Sequence, residues 1–232
     1  MEKFDLQLLF ALLKIKPQNE KLYAQALTHS SYAHERNLGN KAHNERLEFL
    51  GDAVLELAIS EELFLRYPKL PEGKLTRYRA VLVCEDSLVK LANFLRLGEL
   101  LRLGKGEAAS GGRNRPSLLA DAFEALLGAI YLDLGFKQVK MVVRQLFAPL
   151  FSELEKGTLY HDYKTLLQEY TQGKFATTPA YRIVAEEGPD HDKVFVAQLS
   201  INEKVYGVGS GRTKKEAEQE AARLAYERLV KN

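Results

Sequence analysis

Apolar positions recur at three- and four-residue spacing through residues 6–13, 45–66, 74–101, 117–134 and 137–151, the period of helices that bury one face. Breakers separate these segments: Pro17, Pro68 with Pro71 and Gly73, the stretch Gly104–Pro116, and Gly135. No segment before Leu154 alternates with the period of a strand, so residues 1–154 are expected to form an all-α domain. A polar stretch from Ser152 to Asp162 follows, in which residues 155–161 are expected to act as a linker. The pattern then changes. Tyr163–Thr171 reads as a helix ended by Gly173, and residues 180–187, 194–201 and 204–209 read as β-rich runs. Asn202-Glu203 predicts a tight hairpin turn between the last two. Thr213–Val230 predicts a closing helix that buries Ala217, Ala221, Leu224, Ala225 and Leu229. Residues 162–232 are therefore expected to be a small α+β domain of order α-β-β-β-α.

One predicted helix carries carboxylates where they repel each other. In Asn44-Glu45-Arg46-Leu47-Glu48-Phe49-Leu50-Gly51-Asp52-Ala53-Val54-Leu55, Glu45, Glu48 and Asp52 share one stripe at i, i+3 and i+7. Leu47, Leu50, Ala53, Val54, Leu57 and Ala58 cover most of the remaining surface, which predicts a largely buried helix. No Lys or Arg stands at a matching position to neutralise the stripe. A second helix repeats the feature: Asp121 and Glu124 lie three apart, with Ala125 and Gly128 on the same face to let another helix approach. If the two helices pack together, Glu48, Asp52, Asp121 and Glu124 converge, and divalent cations held by hard oxygens would quiet their repulsion. The plainer reading, a solvated acidic face, fits poorly with helices that are apolar on nearly every other side.

Composition narrows the chemistry further. With 46% hydrophobic and 28% charged residues among 232, the chain can bury a core. No apolar run is long enough to span a membrane, and the single cysteine, Cys84, in what reads as an apolar helix, suits a reducing cytosol. The net charge of +2 says little about partners; 22 basic and 20 acidic residues precede Thr158, and 11 of each follow. Any nucleic-acid reading must rest on where charges sit. A di-iron site would need Glu-x-x-His pairs and a zinc protease His-Glu-x-x-His; neither occurs. No convincing Ser-His-Asp or Cys-His set is present, and nothing calls for an organic cofactor. Carboxylates for hard metals remain, the equipment of two-metal phosphodiester hydrolysis.

Asn44–Leu55 resembles the signature of the ribonuclease III family. Ala26-Leu27-Thr28-His29-Ser30-Ser31-Tyr32 and Leu119-Ala120-Asp121-Ala122-Phe123-Glu124-Ala125 are similar to its helical endonuclease domain. The resemblance implies that Glu48, Asp52, Asp121 and Glu124 are metal-binding catalytic acids, that Glu45 and Glu72 stand beside the scissile site, and that Phe49 is a knob entering the partner in a homodimer. It further implies an enzyme of RNA processing that uses Mg²⁺, replaceable by Mn²⁺, to cut double-stranded RNA into products with 5′-phosphate, 3′-hydroxyl and short 3′ overhangs.

The closing helix opens with Thr213-Lys214-Lys215-Glu216, whose ends have capping-box spacing. Two lysines in a first turn oppose the helix dipole, a cost that makes sense where phosphate binds. Arg212 precedes them. The region resembles a double-stranded RNA-binding domain, including Gly188-Pro189-Asp190-His191 between the first two strands. By that resemblance, Lys214 and Lys215 take phosphates, while His191, and Gln168 with Glu169, reach two minor grooves. In the first domain, the Gly104–Pro116 stretch is expected to be a flexible basic loop, either a lid over RNA or solvated. Lys74, Arg77 and Arg79 form a basic cluster of unassigned use, and His29 suits local capping. The rival reading is a duplex-binding protein that does not cut.

Overall fold

The computed structural model describes residues 5–39, 42–156, 159, 163–188 and 193–230, and divides into two compact units, Met1–Lys156 and Gly157–Asn232. The described residues of the first unit contain helices and no strand: α1 (Leu6–Leu13), α2 (Glu20–Ala26), α3 (Ser30–Glu35), α4 (Glu45–Arg66), α5 (Glu72–Leu82), α6 (Glu85–Phe94), α7 (Leu97–Leu100), α8 (Lys105–Ala109), α9 (Pro116–Leu134) and α10 (Phe136–Glu155). Helix α9 is the axis of the unit. Pro116 occupies its first turn, where the missing N–H costs nothing. From Leu118 to Ile130 it is buried except for partial exposure at Asp121 and Glu124. Around it, α10 presents the face Val139, Val142, Val143, Leu146, Phe147 and Leu150, and the Phe123 and Phe147 rings tilt together with centroids 6.1 Å apart.

Helices α4 and α9 meet along their backbones. A Cβ on Gly51 would run into the carbonyl oxygen of Glu124, and one on Gly128 into that of Leu47. Only glycine at both positions lets the two axes come this close. Beyond the crossing, Arg79 of α5 clips onto α4 through Ser60 Oγ at 3.0 Å and Glu56 at 3.4 Å, so this member of the basic cluster serves the fold.

Several expectations for this unit need correction. Helix α4 is not largely buried. Phe49, Leu57 and Phe64 are 81%, 57% and 69% exposed, and with exposed Ala53 they form one apolar stripe beside the acidic one. Residues 74–101 form three helices rather than one continuous run; Val83 and Cys84 break the first from the second, and Arg96, at φ 53°, turns the chain into α7. Cys84 is therefore an N-cap, its thiol donating to the Val81 carbonyl at 3.2 Å, not a residue inside an apolar helix. Residues 152–155 continue α10 instead of leaving it. The Gly104–Pro116 stretch is structured, with α8, a 3₁₀ turn at Gly112–Asn114, and both arginines engaged. Arg113 Nη1 donates to the carbonyls of Gly98 and Leu101, each at 2.8 Å, and Arg115 Nη1 pairs with Glu107 at 2.7 Å.

The second unit contains α11 (Tyr163–Phe175), the antiparallel sheet β1 (Ala180–Glu187), β2 (Val194–Ile201) and β3 (Lys204–Gly211) in that spatial order, and α12 (Lys214–Val230). Gly173 lies inside α11 rather than ending it. Asn202 and Glu203 both take positive φ, 48° and 64°, the twist a two-residue hairpin needs. Helix α12 packs on β3 through small residues: Gly207 and Gly209 leave no room for a Cβ beneath Ala221. Its buried positions are Ala217, Ala221, Ala222 and Ala225, joined by Leu167, Ala197, Leu199 and Ile201. Leu224, expected inside, is exposed, while Ala222, not expected there, is buried. Among the described residues no helix is long and apolar enough to cross a membrane.

Candidate metal centre and nucleic-acid surface

The α4–α9 crossing gathers carboxylates that are remote in sequence. Glu48 lies one turn before Gly51 on α4, and Asp121 and Glu124 share a face of α9. One carboxylate oxygen from each of these three lies within 4.8 Å of the others, all partly buried. Among the described residues no other group of His, Cys, Asp or Glu could hold a metal in this way. Asp52 is more exposed and stands outside the triplet, yet its charge acts on both Glu48 and Glu124.

The electrostatics follow from burial without cations. Loss of solvent, then the charges of Asp52, Glu48 and Asp121, push the Glu124 carboxyl up to about 8. Desolvation likewise raises Glu48, with Asp121, Glu45 and Asp52 adding to it. Asp121 is raised chiefly by burial, partly offset by the nearby ring of His29. Among the described residues none of the four acids makes an ion pair. Hard, clustered oxygens that no described Lys or Arg pairs with fit a divalent cation, and a cation among them would supply the charge that the protein withholds.

Glu45 and Glu72 are not brought into the triplet. Glu45 is exposed in the first turn of α4, 3.7 Å from His43 Nδ1. Glu72 is exposed at the start of α5, where Oε1 accepts from Thr76 at 2.8 Å. Phe49 projects from α4 into the open.

On the second unit, the capping box forms: Glu216 N–H donates to Thr213 Oγ1 at 3.1 Å, and Thr213 N–H to Glu216 Oε2 at 3.3 Å. Arg212, Lys214 and Lys215 are exposed at this end of α12. Lys214 lies over the Phe195 ring, 5.5 Å from its centre, and 3.3 Å from Glu186. Gln168 and Glu169 are exposed on α11, and His191 lies outside the described residues.

Comparison with known proteins agrees with this architecture. Residues 19–150 match the family described as Ribonuclease-III-like, and residues 163–229 match the double-stranded RNA binding motif. The chain belongs to the ribonuclease III family. It is 56% identical to the Ribonuclease 3 of Natranaerobius thermophilus over 92% of each chain, and 53% identical to that of Geobacillus thermodenitrificans over 91% of this chain and 86% of the relative. The nuclease domain of ribonuclease III from Campylobacter jejuni superposes with a TM-score of 0.58 at 40% identity, covering 63% of this chain and 96% of that one. A second structure of that domain, described for flexibility in a region involved in dimer formation, gives 0.59 at 40% identity over 64% and 99%.

The chain thus joins a helical nuclease domain to a double-stranded RNA-binding domain. Two features that position its acids escape the sequence argument. Gly51 is essential to the crossing, and its signal, a glycine inside a helix between the stripe acids Glu48 and Asp52, is readable only with its partner Gly128. Arg113 ties the approach to α9 onto three-residue-apart carbonyls, and nothing local in the sequence marks it.

Proposed function

We propose that the chain hydrolyses double-stranded RNA with a divalent cation, Mg²⁺ or Mn²⁺, held by Glu48, Asp121 and Glu124, with Asp52 completing the set. The observation that carries this reading is the carboxylate triplet within 4.8 Å, none of whose members makes an ion pair with a described residue. When bound, such ions supply Lewis acidity, lowering the pKa of attacking water and offsetting charge on the departing 3′ oxygen. The protein's share is placement. The Gly51–Gly128 contact fixes the α4 acids against the α9 acids, and partial burial keeps their oxygens poorly hydrated and strongly attractive to a hard ion.

Products would carry 5′-phosphate and 3′-hydroxyl ends. Two copies meeting through the apolar stripe of Phe49, Ala53, Leu57 and Phe64 would set two acid sites across one duplex, cutting each strand and leaving short 3′ overhangs. Glu45 and Glu72, both exposed, would support metal-held water or RNA. Lys214, Lys215 and Arg212 would take phosphates, with Gln168, Glu169 and His191 at minor grooves. The enzyme would act on cytosolic RNA during its processing.

The decisive experiment incubates long duplex RNA with the full chain and Mg²⁺, then with a chelator. Cleavage confined to the Mg²⁺ sample supports the reading. Intact RNA in both, with binding retained, would replace it with a duplex-holding role.

A further inference from the structure

The first lysine of α12 is not offered to phosphate unopposed. Glu186 of β1 stands opposite Phe195 of β2 in the sheet register, and Phe195 packs against the core between sheet and helices. Cross-strand partners share a face, so Glu186 lies on the helix-covered side of the sheet. Its neighbour Glu187, opposite Val194, lies on the other side. The Glu186 carboxylate meets a lysine with each oxygen: Oε1 is 3.3 Å from Lys214 Nζ, and Oε2 is 3.6 Å from Lys193 Nζ.

The fold has little need of these pairs. The Glu186 and Lys214 side chains are 39% and 60% exposed, and ion pairs so open to water add little stability. The first turn of α12 is secured by another acid. Glu216 Oε2 accepts from the Arg212 N–H at 2.8 Å and the Thr213 N–H at 3.3 Å, so that carboxylate is spent on the capping box. Glu186 makes no other hydrogen bond or ion pair with a described residue. The Phe195 ring attracts the Lys214 ammonium too, but it leaves the positive charge uncancelled. Glu186 cancels it.

An anion set against a lysine in a helix's first turn occupies the place that a phosphate would take. A duplex phosphate reaching Lys214 must either displace Glu186, losing the ion pair, or sit beside it, setting two negative charges a few ångströms apart. Both weaken binding. With Glu186 present, two ammoniums and one carboxylate leave a single positive charge; without it the phosphate would meet two. We propose that Glu186 stands in for a phosphate in the free protein and holds duplex affinity below what the lysines alone would give. Binding at Lys214 is then an exchange of one anion for another, and release is its reverse. This rests on the reading of Lys214 as a phosphate contact.

The test uses the full chain in chelator and one short RNA duplex, with affinity read across a range of salt. Glu186→Gln should tighten binding about three- to tenfold at low salt, the worth of one unit charge a few ångströms from another in water. Its log affinity should fall more steeply with log salt, by up to about one, so the gain fades as salt rises. Glu186→Ala should gain as much, which excludes a hydrogen bond from the new amide and serves should Glu186→Gln fail to fold. Glu187→Gln changes net charge identically on the other side of the sheet, and should gain less than about twofold. Unchanged or weaker binding by the Glu186 variants, or an equal gain from Glu187→Gln, would overturn the proposal. Lys214→Ala separates the layers: if it binds the duplex as the wild type does, the phosphate reading beneath falls, and the proposal with it.

Discussion

Gly51 and Glu124 touch through their backbones: the missing side chain of one lies where the carbonyl oxygen of the other sits. This contact sets the spacing of Glu48 from the α9 acids. Gly51→Ala forces the helices apart against a packed core, at a cost of about 1–3 kcal/mol. The expected outcome is a lower melting temperature together with weaker Mg²⁺ uptake by calorimetry. Gly128→Ala, which meets the Leu47 carbonyl, should behave alike.

Glu124→Gln removes a ligand oxygen and one of four mutually repelling charges. Cleavage should fall by at least about a hundredfold, as expected when a preorganised charged group is lost. Duplex affinity in chelator should be unchanged, because the lysines of α12 belong to the other unit. Without metal, the variant should melt no lower than the wild type. A variant that melted lower and bound RNA poorly would mean that Glu124 serves the fold.

The acids also predict an unusual pH response. The Glu124 carboxyl is pushed up to about 8 by burial and its neighbours. Between the unfolded value, about 4.5, and about 8, the native state holds a proton that the unfolded chain has lost. That stabilising contribution is complete below the unfolded value and disappears as pH rises through about 8. Metal-free protein should therefore melt progressively lower from pH 5 to pH 8, while protein saturated with Mg²⁺ should not. Metal affinity should rise over the same range, since the ion displaces the proton. Parallel melting curves with and without Mg²⁺ would contradict this.

Much of the molecule is legible in its sequence, for physical reasons that differ by element. The acid helices stand out because like charges at i, i+3 and i+7 conflict with apolar surroundings, and a conflict of that kind needs an outside partner. The strand order and capping box of the second unit follow from local periodicity and short-range hydrogen bonds. Periodicity does not say what an apolar face packs against, so Ala53 and Leu57 read as core although they are exposed. The α5–α6 break has no Gly or Pro to announce it. Arg113 and Arg115 look like free cations because their acceptors, at Gly98, Leu101 and Glu107, are brought to them only by folding.

On the RNA-binding unit, Lys214 and Lys215 differ in freedom. Lys214 has Glu186 and Phe195 as neighbours, whereas Lys215 is exposed with neither. Replacing both with Ala should weaken binding to every duplex equally and shallow the slope of log affinity against log salt by about 2, one per phosphate contact. Lys214→Ala should account for the larger share of the affinity. A loss restricted to certain sequences would show base reading instead.

Phe49 offers the sharpest test of assembly. It is 81% exposed on a stripe with Leu57 and Phe64, an apolar face that water disfavours and that borders the acid helix's own charges. A self-complementary contact through this stripe would bury the ring and place two acid sites near each other. Phe49→Asp adds a charge at the centre of that contact, where desolvation without a partner is costly. Sedimentation velocity should find the wild type dimeric and the variant monomeric at the same concentration. Mg²⁺ uptake per chain should persist, because Glu48, Asp121 and Glu124 come from a single chain. Double-strand cleavage should give way to slow nicking. A variant that stayed dimeric would move the interface elsewhere on the nuclease unit.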